Sequence, residues 1–195
     1  MTGIKKGELI TFSIRNMGNQ TKLYKVGLKP VFRVLPNNQK AWKRVPSNIS
    51  YEMLNDGLTV TWSMKFDWDP SEECFFAWTF PSSFRESLDK SLSLQQKYGN
   101  DGSKSKSIYF KREILTYSYE KRPVEMLTLS SKLGLTDERE AYIPNLFPEG
   151  GSRPYKFKDK KIIFLSSRVH PGETPAQHVL HGILNFLTNE SNVQS

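Results

Sequence analysis

A single cysteine, Cys74, occurs in the 195 residues. That excludes an intrachain disulfide and a four-cysteine zinc module, and it makes a reducing compartment the expected home. Cys74 lies in an apolar strand-like run and reads as a core residue rather than a nucleophile. Histidine is nearly as scarce: His170, His178 and His181 are the three, so imidazole chemistry is confined to the C-terminal end. Long apolar runs are also missing. The uninterrupted aliphatic run at Ile162–Leu165 is short, far below the roughly 20 residues that span a bilayer. Met1–Ile10 carries lysines but no apolar signal core, so neither secretion nor a membrane partner is expected. Aromatic residues are not in short supply. Twelve Phe, eight Tyr and four Trp, with 37% hydrophobic and 25% charged residues, exclude bulk disorder and allow one full domain or two small ones.

Acidic residues are nearly absent from one end. Residues 1–48 hold ten Lys/Arg against Glu8, or +9; residues 49–80 hold one against six, or −5; residues 81–195 hold seventeen against thirteen, or +4, which sums to the net +8. A basic surface concentrates acidic partners of any kind, and it also serves as an ordinary solvated face.

The first eighty residues read as β-structure. Leu58, Val60, Trp62, Met64 and Phe66 alternate with polar or small residues, the period of a half-buried antiparallel strand. Similar runs at Leu9–Ile14, Val31–Leu35, Ile49–Met53 and Cys74–Phe80 are separated by turn-forming segments at Asn16–Asn19, Pro36–Asn38 and Asn55–Gly57. A small antiparallel β-sandwich over 1–80 is expected. Beyond Pro81, Ser83 and Glu86 form a capping-box pattern ahead of Phe84, Leu88 and Leu92, predicting a helix over about 83–97. Tyr98–Ser107 reads as a mobile loop, Lys111–Tyr119 and Val124–Ser130 as strands joined at hairpin length, and Thr136–Lys160 as an ordered connection.

The last unit carries the chemistry. Ile162–Leu165 is continuously apolar, as in a strand covered on both faces of an α/β sheet, and an inner strand over Ile162–Val169 is expected with His170 at its carboxyl end. Thr174 and Pro175 supply an N-cap and a first-turn proline, and Val179, Leu180, Ile183, Leu184 and Leu187 form one apolar stripe of a helix reaching about Thr188. The turn between strand and helix is His170-Pro171-Gly172-Glu173. Imidazole nitrogen and carboxylate oxygen are both zinc donors, and the carboxyl end of a strand is where open α/β sheets place ligands. The pair has an equally good structural reading, with His170 closing the strand and Glu173 facing the positive end of the helix. His178 and His181, three apart on that helix, are poorly placed to complete a metal site because helical rise carries them away from Glu173.

The string Phe164-Leu-Ser-Ser-Arg-Val-His-Pro-Gly-Glu-Thr-Pro175, with Arg168–Thr174 at its centre, resembles the zinc-motif region of the cytosolic carboxypeptidases, a branch of the zinc metallocarboxypeptidases. Lys22–Pro30, Trp42–Val45, Phe75–Phe80 and Tyr142–Pro148 are similar to segments of the same branch, so the likeness runs from about Gly7 to Leu187. Digestive carboxypeptidases carry an Arg soon after the motif histidine, whereas Pro171 stands here, which favours the cytosolic branch. The resemblance implies an α+β chain in two parts: the 1–80 β-sandwich, then over 81–195 the N-terminal portion of an α/β zinc-carboxypeptidase domain with a mixed sheet. It implies one Zn2+ per complete active site, with His170 and Glu173 as two of its ligands. The third ligand, the substrate-carboxylate-binding Arg and the general base are expected downstream of Ser195, so no catalytic residue is assigned within the chain. The chain therefore looks like a fragment or shortened product and is expected to be inactive alone.

The implied reaction is removal of glutamates from C-termini or side-chain branches of tubulin or other glutamylated acidic tails. The implied location is cytoplasmic, extending to the nucleus or microtubules. Two rival readings stand beside it: a non-catalytic module binding acidic tails or nucleic acid, and a carboxypeptidase-fold zinc deacylase. Nucleic acid is disfavoured because burial accounts for most aromatics that alternate with lysines.

Overall fold

The computed structural model describes residues 4–35, 41–69 and 71–193. The chain forms two units, Met1–Pro81 and Ser82–Ser195, and is mixed α+β with antiparallel strand pairing throughout the described residues.

In the first unit, β1 (Glu8–Met17), β4 (Ser50–Leu54) and β5 (Gly57–Phe66) pair in the order β1-β5-β4. A second sheet pairs β2 (Val31–Leu35), β3 (Lys43–Arg44) and β6 (Glu73–Ala77) in the order β3-β2-β6. The period-two pattern of β5 translates directly into burial. Leu58 and Val60 are fully buried, Trp62, Met64 and Phe66 nearly so, while the intervening residues face outward. Phe32, Cys74, Phe76 and Trp78 of the second sheet and its flank pack against these side chains, so both sheets share one core. Aromatic rings dominate it, with Trp62 stacked on Phe12 at 5.2 Å and edge-on to Trp78 at 5.9 Å.

The β4–β5 hairpin closes at Gly57, whose φ of +116° strains any residue with a side chain and whose Cβ would crowd the Met17 carbonyl at 3.1 Å. A short helix, α1 (Thr21–Lys25), places Tyr24 in this core; nothing in its five residues announces a helix. The strand expected to reach Phe80 ends at Ala77, and the turn expected at Pro36–Asn38 lies outside the described residues.

In the second unit, α2 (Phe84–Tyr98) begins with the expected reciprocal cap. The Ser83 hydroxyl accepts from the Glu86 amide while the Glu86 carboxylate accepts from the Ser83 amide. Hairpin strands β7 (Ile108–Tyr117) and β8 (Pro123–Ser131) follow. Then come the short pair β9 (Leu135–Arg139) and β10 (Tyr155–Phe157), both inside the segment expected to be a connection. The helix α3 (Thr174–Leu187) and a final turn, α4 (Glu190–Val193), complete the chain. Leu94 and Tyr98 of α2, Ile108 and Phe110 of β7 and Leu184 of α3 form the core, so both helices pack with the hairpin.

Two expectations are corrected here. Tyr98–Ser107 is an ordered turn rather than a mobile loop. Asp101, at φ +60°, accepts from the Tyr109 hydroxyl at 2.9 Å and from Arg139 at 3.3 Å, and ion-pairs with buried Lys111 at 3.3 Å. Its partners lie 8, 10 and 38 positions further along the chain, so the small and charged composition that suggests mobility marks a polar anchor instead. The second correction concerns Ile162–Val169. This segment is not a strand, and Ile162, Ile163 and Phe164 are more than 80% exposed. An apolar run becomes an inner strand only when strands flank its edges and layers cover both faces, and the described residues provide neither. The mixed sheet expected for this part is accordingly not formed among them.

Candidate functional site

The segment after Leu165 turns sharply into α3. Arg168 is the pivot: its φ of +55° is unusual for a residue with a side chain, and its guanidinium donates from Nε to the Pro171 carbonyl at 3.2 Å and from Nη1 to the Ser82 carbonyl at 2.5 Å. One side chain thereby ties the turn both to itself and to the residue just before the α2 cap. The Glu173 amide donates to the His170 carbonyl at 3.1 Å, closing a four-residue turn around Pro171-Gly172.

Within this turn His170 and Glu173 meet. Glu173 Oε1 lies 2.8 Å from His170 Nδ1, and Oε2 accepts from the His170 amide at 3.3 Å. The carboxylate holds both the ring and the backbone of His170, and these hydrogen bonds bring its pKa below the usual carboxylate range, the one from the ring acting most strongly. Ionised Glu173 requires the proton on Nδ1, which leaves the neutral imidazole's lone pair on Nε2. The contact also moves the helix cap. Glu173, not Thr174, is the N-cap residue, and its side chain makes no capping bond because it is turned back to His170. Pro175 keeps its expected place in the first helical turn, and the helix ends at Leu187.

His170 and Glu173 are both metal donors in kind. Both side chains are well exposed, at 76% and 48%. Two donors of a tetrahedral zinc with bonds near 2.0–2.1 Å stand about 3.3 Å apart, so an ion would replace the proton now shared across 2.8 Å. The chemistry fits two of a zinc ion's positions. Among the described residues no group of three His, Cys, Asp or Glu is assembled to hold a metal.

His178 and His181 are not brought into the turn. They lie on α3, with Glu86 of α2 near enough to feel their charge. His181 Nε2 is 2.9 Å from the Gln177 amide nitrogen, and burial first, then the charges of Lys90 and His178, pushes its pKa down. Cys74 faces the first unit's core, where burial pushes its thiol up to about 11, far from nucleophilic use. The residue that sequence reasoning missed is Arg168. Its place two residues before His170 was visible, but its left-handed backbone and its bond to Ser82 were not.

No family model matches the chain. Curated relatives do. It is 39% identical over 186 residues to mouse (Mus musculus) cytosolic carboxypeptidase-like protein 5, covering 93% of this chain and 21% of that protein. The human (Homo sapiens) protein of the same name is 36% identical over 186 residues, with the same coverage. Cytosolic carboxypeptidase 6 of Caenorhabditis elegans is 30% identical over 182 residues, covering 92% of this chain and 33% of that protein. The chain is thus a relative of the cytosolic carboxypeptidases, and their shared name supports a carboxypeptidase family over a binding module or a deacylase. It spans about a fifth of the length of the protein-5 relatives. No helix among the described residues is long and apolar enough to cross a membrane.

Proposed function

We propose that this chain contributes the His170–Glu173 part of a zinc metallocarboxypeptidase site that removes glutamates from C-termini or side-chain branches of acidic protein tails, tubulin among them, in the cytoplasm and at microtubules or in the nucleus. In this reading residues 1–80 are a β-sandwich N-domain and residues 81–195 are the N-terminal portion of the catalytic domain. The supporting observation is the turn itself: a short reversal at the start of α3 holds an imidazole nitrogen and a carboxylate oxygen 2.8 Å apart, both exposed. The names of the relatives supply the reaction class.

Zinc, when bound, supplies Lewis-acid polarisation of a carbonyl and of a water molecule. The chain's own residues prepare the donors. Glu173 stays ionised through its bonds to His170, and those bonds hold the two donor side chains side by side. Arg168 fixes the turn that carries both. Two donors hold zinc far less firmly than three, and the described residues place no general base beside them, so the 195-residue chain alone is expected to release no glutamate.

The test is a chimera in which this chain replaces the aligned segment of the mouse relative. The chimera should bind stoichiometric zinc and release glutamate from glutamylated tubulin. His170→Ala and Glu173→Ala should each abolish both. Full zinc occupancy in both variants would overturn the ligand assignment, and undiminished glutamate release from variants lacking zinc would overturn the function.

A further inference from the structure

The basic character of residues 1–48 has a focus. On the face of the β3-β2-β6 sheet turned away from the core, Arg33 pairs in register with Phe75, and Val31 pairs with Arg44. Side chains two apart on a strand share a face, so Arg33, Arg44, Phe75 and Trp42 stand together. The Arg33 guanidinium carbon lies 4.9 Å from the centre of the Trp42 ring and 5.5 Å from that of Phe75, held between two aromatic faces. Arg44 lies over Phe80 at 5.8 Å. Arg33 Nε is buried with no hydrogen-bond partner. Among the described residues neither arginine takes part in an ion pair, although Glu73 is on the same face, opposite Leu35.

We infer that this sheet face is a docking site for an acidic peptide, with Arg33 and Arg44 each receiving a side-chain carboxylate. Contact with aromatic rings limits the rotamer freedom that an arginine otherwise loses on binding, and a guanidinium fork so placed can take a carboxylate bidentately. Arg33 and Arg44 are diagonal neighbours on adjacent strands, about 7–8 Å apart by sheet geometry. Alternate side chains of an extended peptide repeat at about 6.6–6.8 Å, so two glutamates separated by one residue match the pair. The first unit is basic overall: residues 1–48 carry +9 and residues 49–80, which include Glu73 of β6, carry −5, leaving a net +4 complementary to an acidic peptide. A nucleic acid is the poorer fit: base stacking needs free ring faces, and guanidinium groups already lie over Trp42, Phe75 and Phe80. The glutamate-rich nature of the ligand rests on the function proposed above, while the site is separate from the His170 turn in sequence and in residues used.

The test is fluorescence anisotropy of a labelled deca-glutamate peptide titrated with the full chain at low salt, alongside an oligouridylate of equal charge. The wild-type chain should bind the peptide, and binding should fade as salt shortens the Debye length from about 10 Å at 0.1 M toward 3 Å at 1 M. Arg33→Ala and Arg44→Ala should each weaken it about tenfold. Arg33→Lys, which keeps the charge but not the fork, should recover only part of the loss. Glu73→Gln, which removes a competing carboxylate from the same face, should tighten binding a few-fold. Because it is a gain, this last result cannot come from misfolding. His170→Ala should leave peptide affinity unchanged, so failure of the zinc site and failure of this surface are read separately. Peptide affinity unaffected by the arginine variants, or oligouridylate bound more tightly than the peptide, would overturn the inference.

Discussion

Replacing Arg168 separates two contributions to the geometry of the His170 turn. Its side chain makes two charge-assisted hydrogen bonds, to the Pro171 and Ser82 carbonyls. Bonds to a charged donor contribute about 1.5–3 kcal/mol when shielded and less when exposed. Ser82 is 6% exposed while the Pro171 contact is at the surface, so the side chain is worth about 2–3 kcal/mol to the turn. The backbone works in the opposite direction. At φ +55° a residue with a Cβ costs about 1 kcal/mol relative to glycine.

Arg168→Ala therefore loses the clamp and keeps the strain, whereas Arg168→Gly loses the clamp and relieves it. Local opening of the turn should rise by about 30-fold or more for Arg168→Ala, and by about tenfold for Arg168→Gly, at roughly 1.4 kcal/mol per factor of ten. Native-state hydrogen exchange at the Glu173 amide, which donates to the His170 carbonyl, measures this opening directly. Zinc occupancy of the chimera should fall in the same order. Exchange and zinc binding left unchanged by Arg168→Ala would refute the clamp, and an Arg168→Gly variant less stable than Arg168→Ala would refute the strain.

Two further outcomes are expected. Trp62 is 4% exposed among aromatic rings, but its indole nitrogen has no partner. Trp62→Ala should cost about 3–5 kcal/mol in a urea titration, whereas Trp62→Phe, which removes the unsatisfied donor, should cost less than about 1.5 kcal/mol; equal costs would contradict this reading of the core. Burial pushes the Asp101 carboxyl up, yet hydrogen bonds from Arg139 and Tyr109 and the Lys111 charge outweigh it and lower the pKa overall. The folded state thus holds this proton less tightly than the unfolded state. The stability Asp101 contributes is complete above the ordinary aspartate value near pH ~3.9 and is lost as pH falls through the lower folded value. Asp101→Asn should flatten the acid limb of a stability profile measured from pH 7 downward, and an unchanged limb would contradict the assignment.

Much of the secondary structure was legible in the sequence for local reasons. Strand β5 follows from side-chain alternation, which fixes which residues share a face whatever the partner. Helix α2 follows from Ser83 and Glu86, which satisfy each other's amides without outside help. The start of α3 was legible from Pro175 to within a residue, the shift to a Glu173 cap arising from the carboxylate's bond to His170. By contrast, α1 draws its stability from burying Tyr24 against the first unit's core, a contact that five residues cannot announce. Asp101 looked like part of a mobile loop because Tyr109, Lys111 and Arg139, which hold it, are up to 38 positions away. The Ile162–Leu165 run was misread because hydrophobicity states what a segment requires, not whether neighbouring strands are present to meet it.

The candidate site divides the same way. Sequence by itself determined that a histidine and a carboxylate flank a Pro-Gly reversal ahead of a helix, because Pro and Gly constrain the backbone through their own sterics and Pro175 sets the first helical turn. The tertiary structure decided that the Glu173 carboxylate turns back to grip His170 and that Arg168 ties the turn to Ser82. In the first unit, it also decided that Arg33 is held between Trp42 and Phe75. Each of these depends on backbone direction and on groups from separate segments arriving within about 3–6 Å, where hydrogen bonds and cation–ring attraction act. A linear pattern carries neither quantity until the chain has folded.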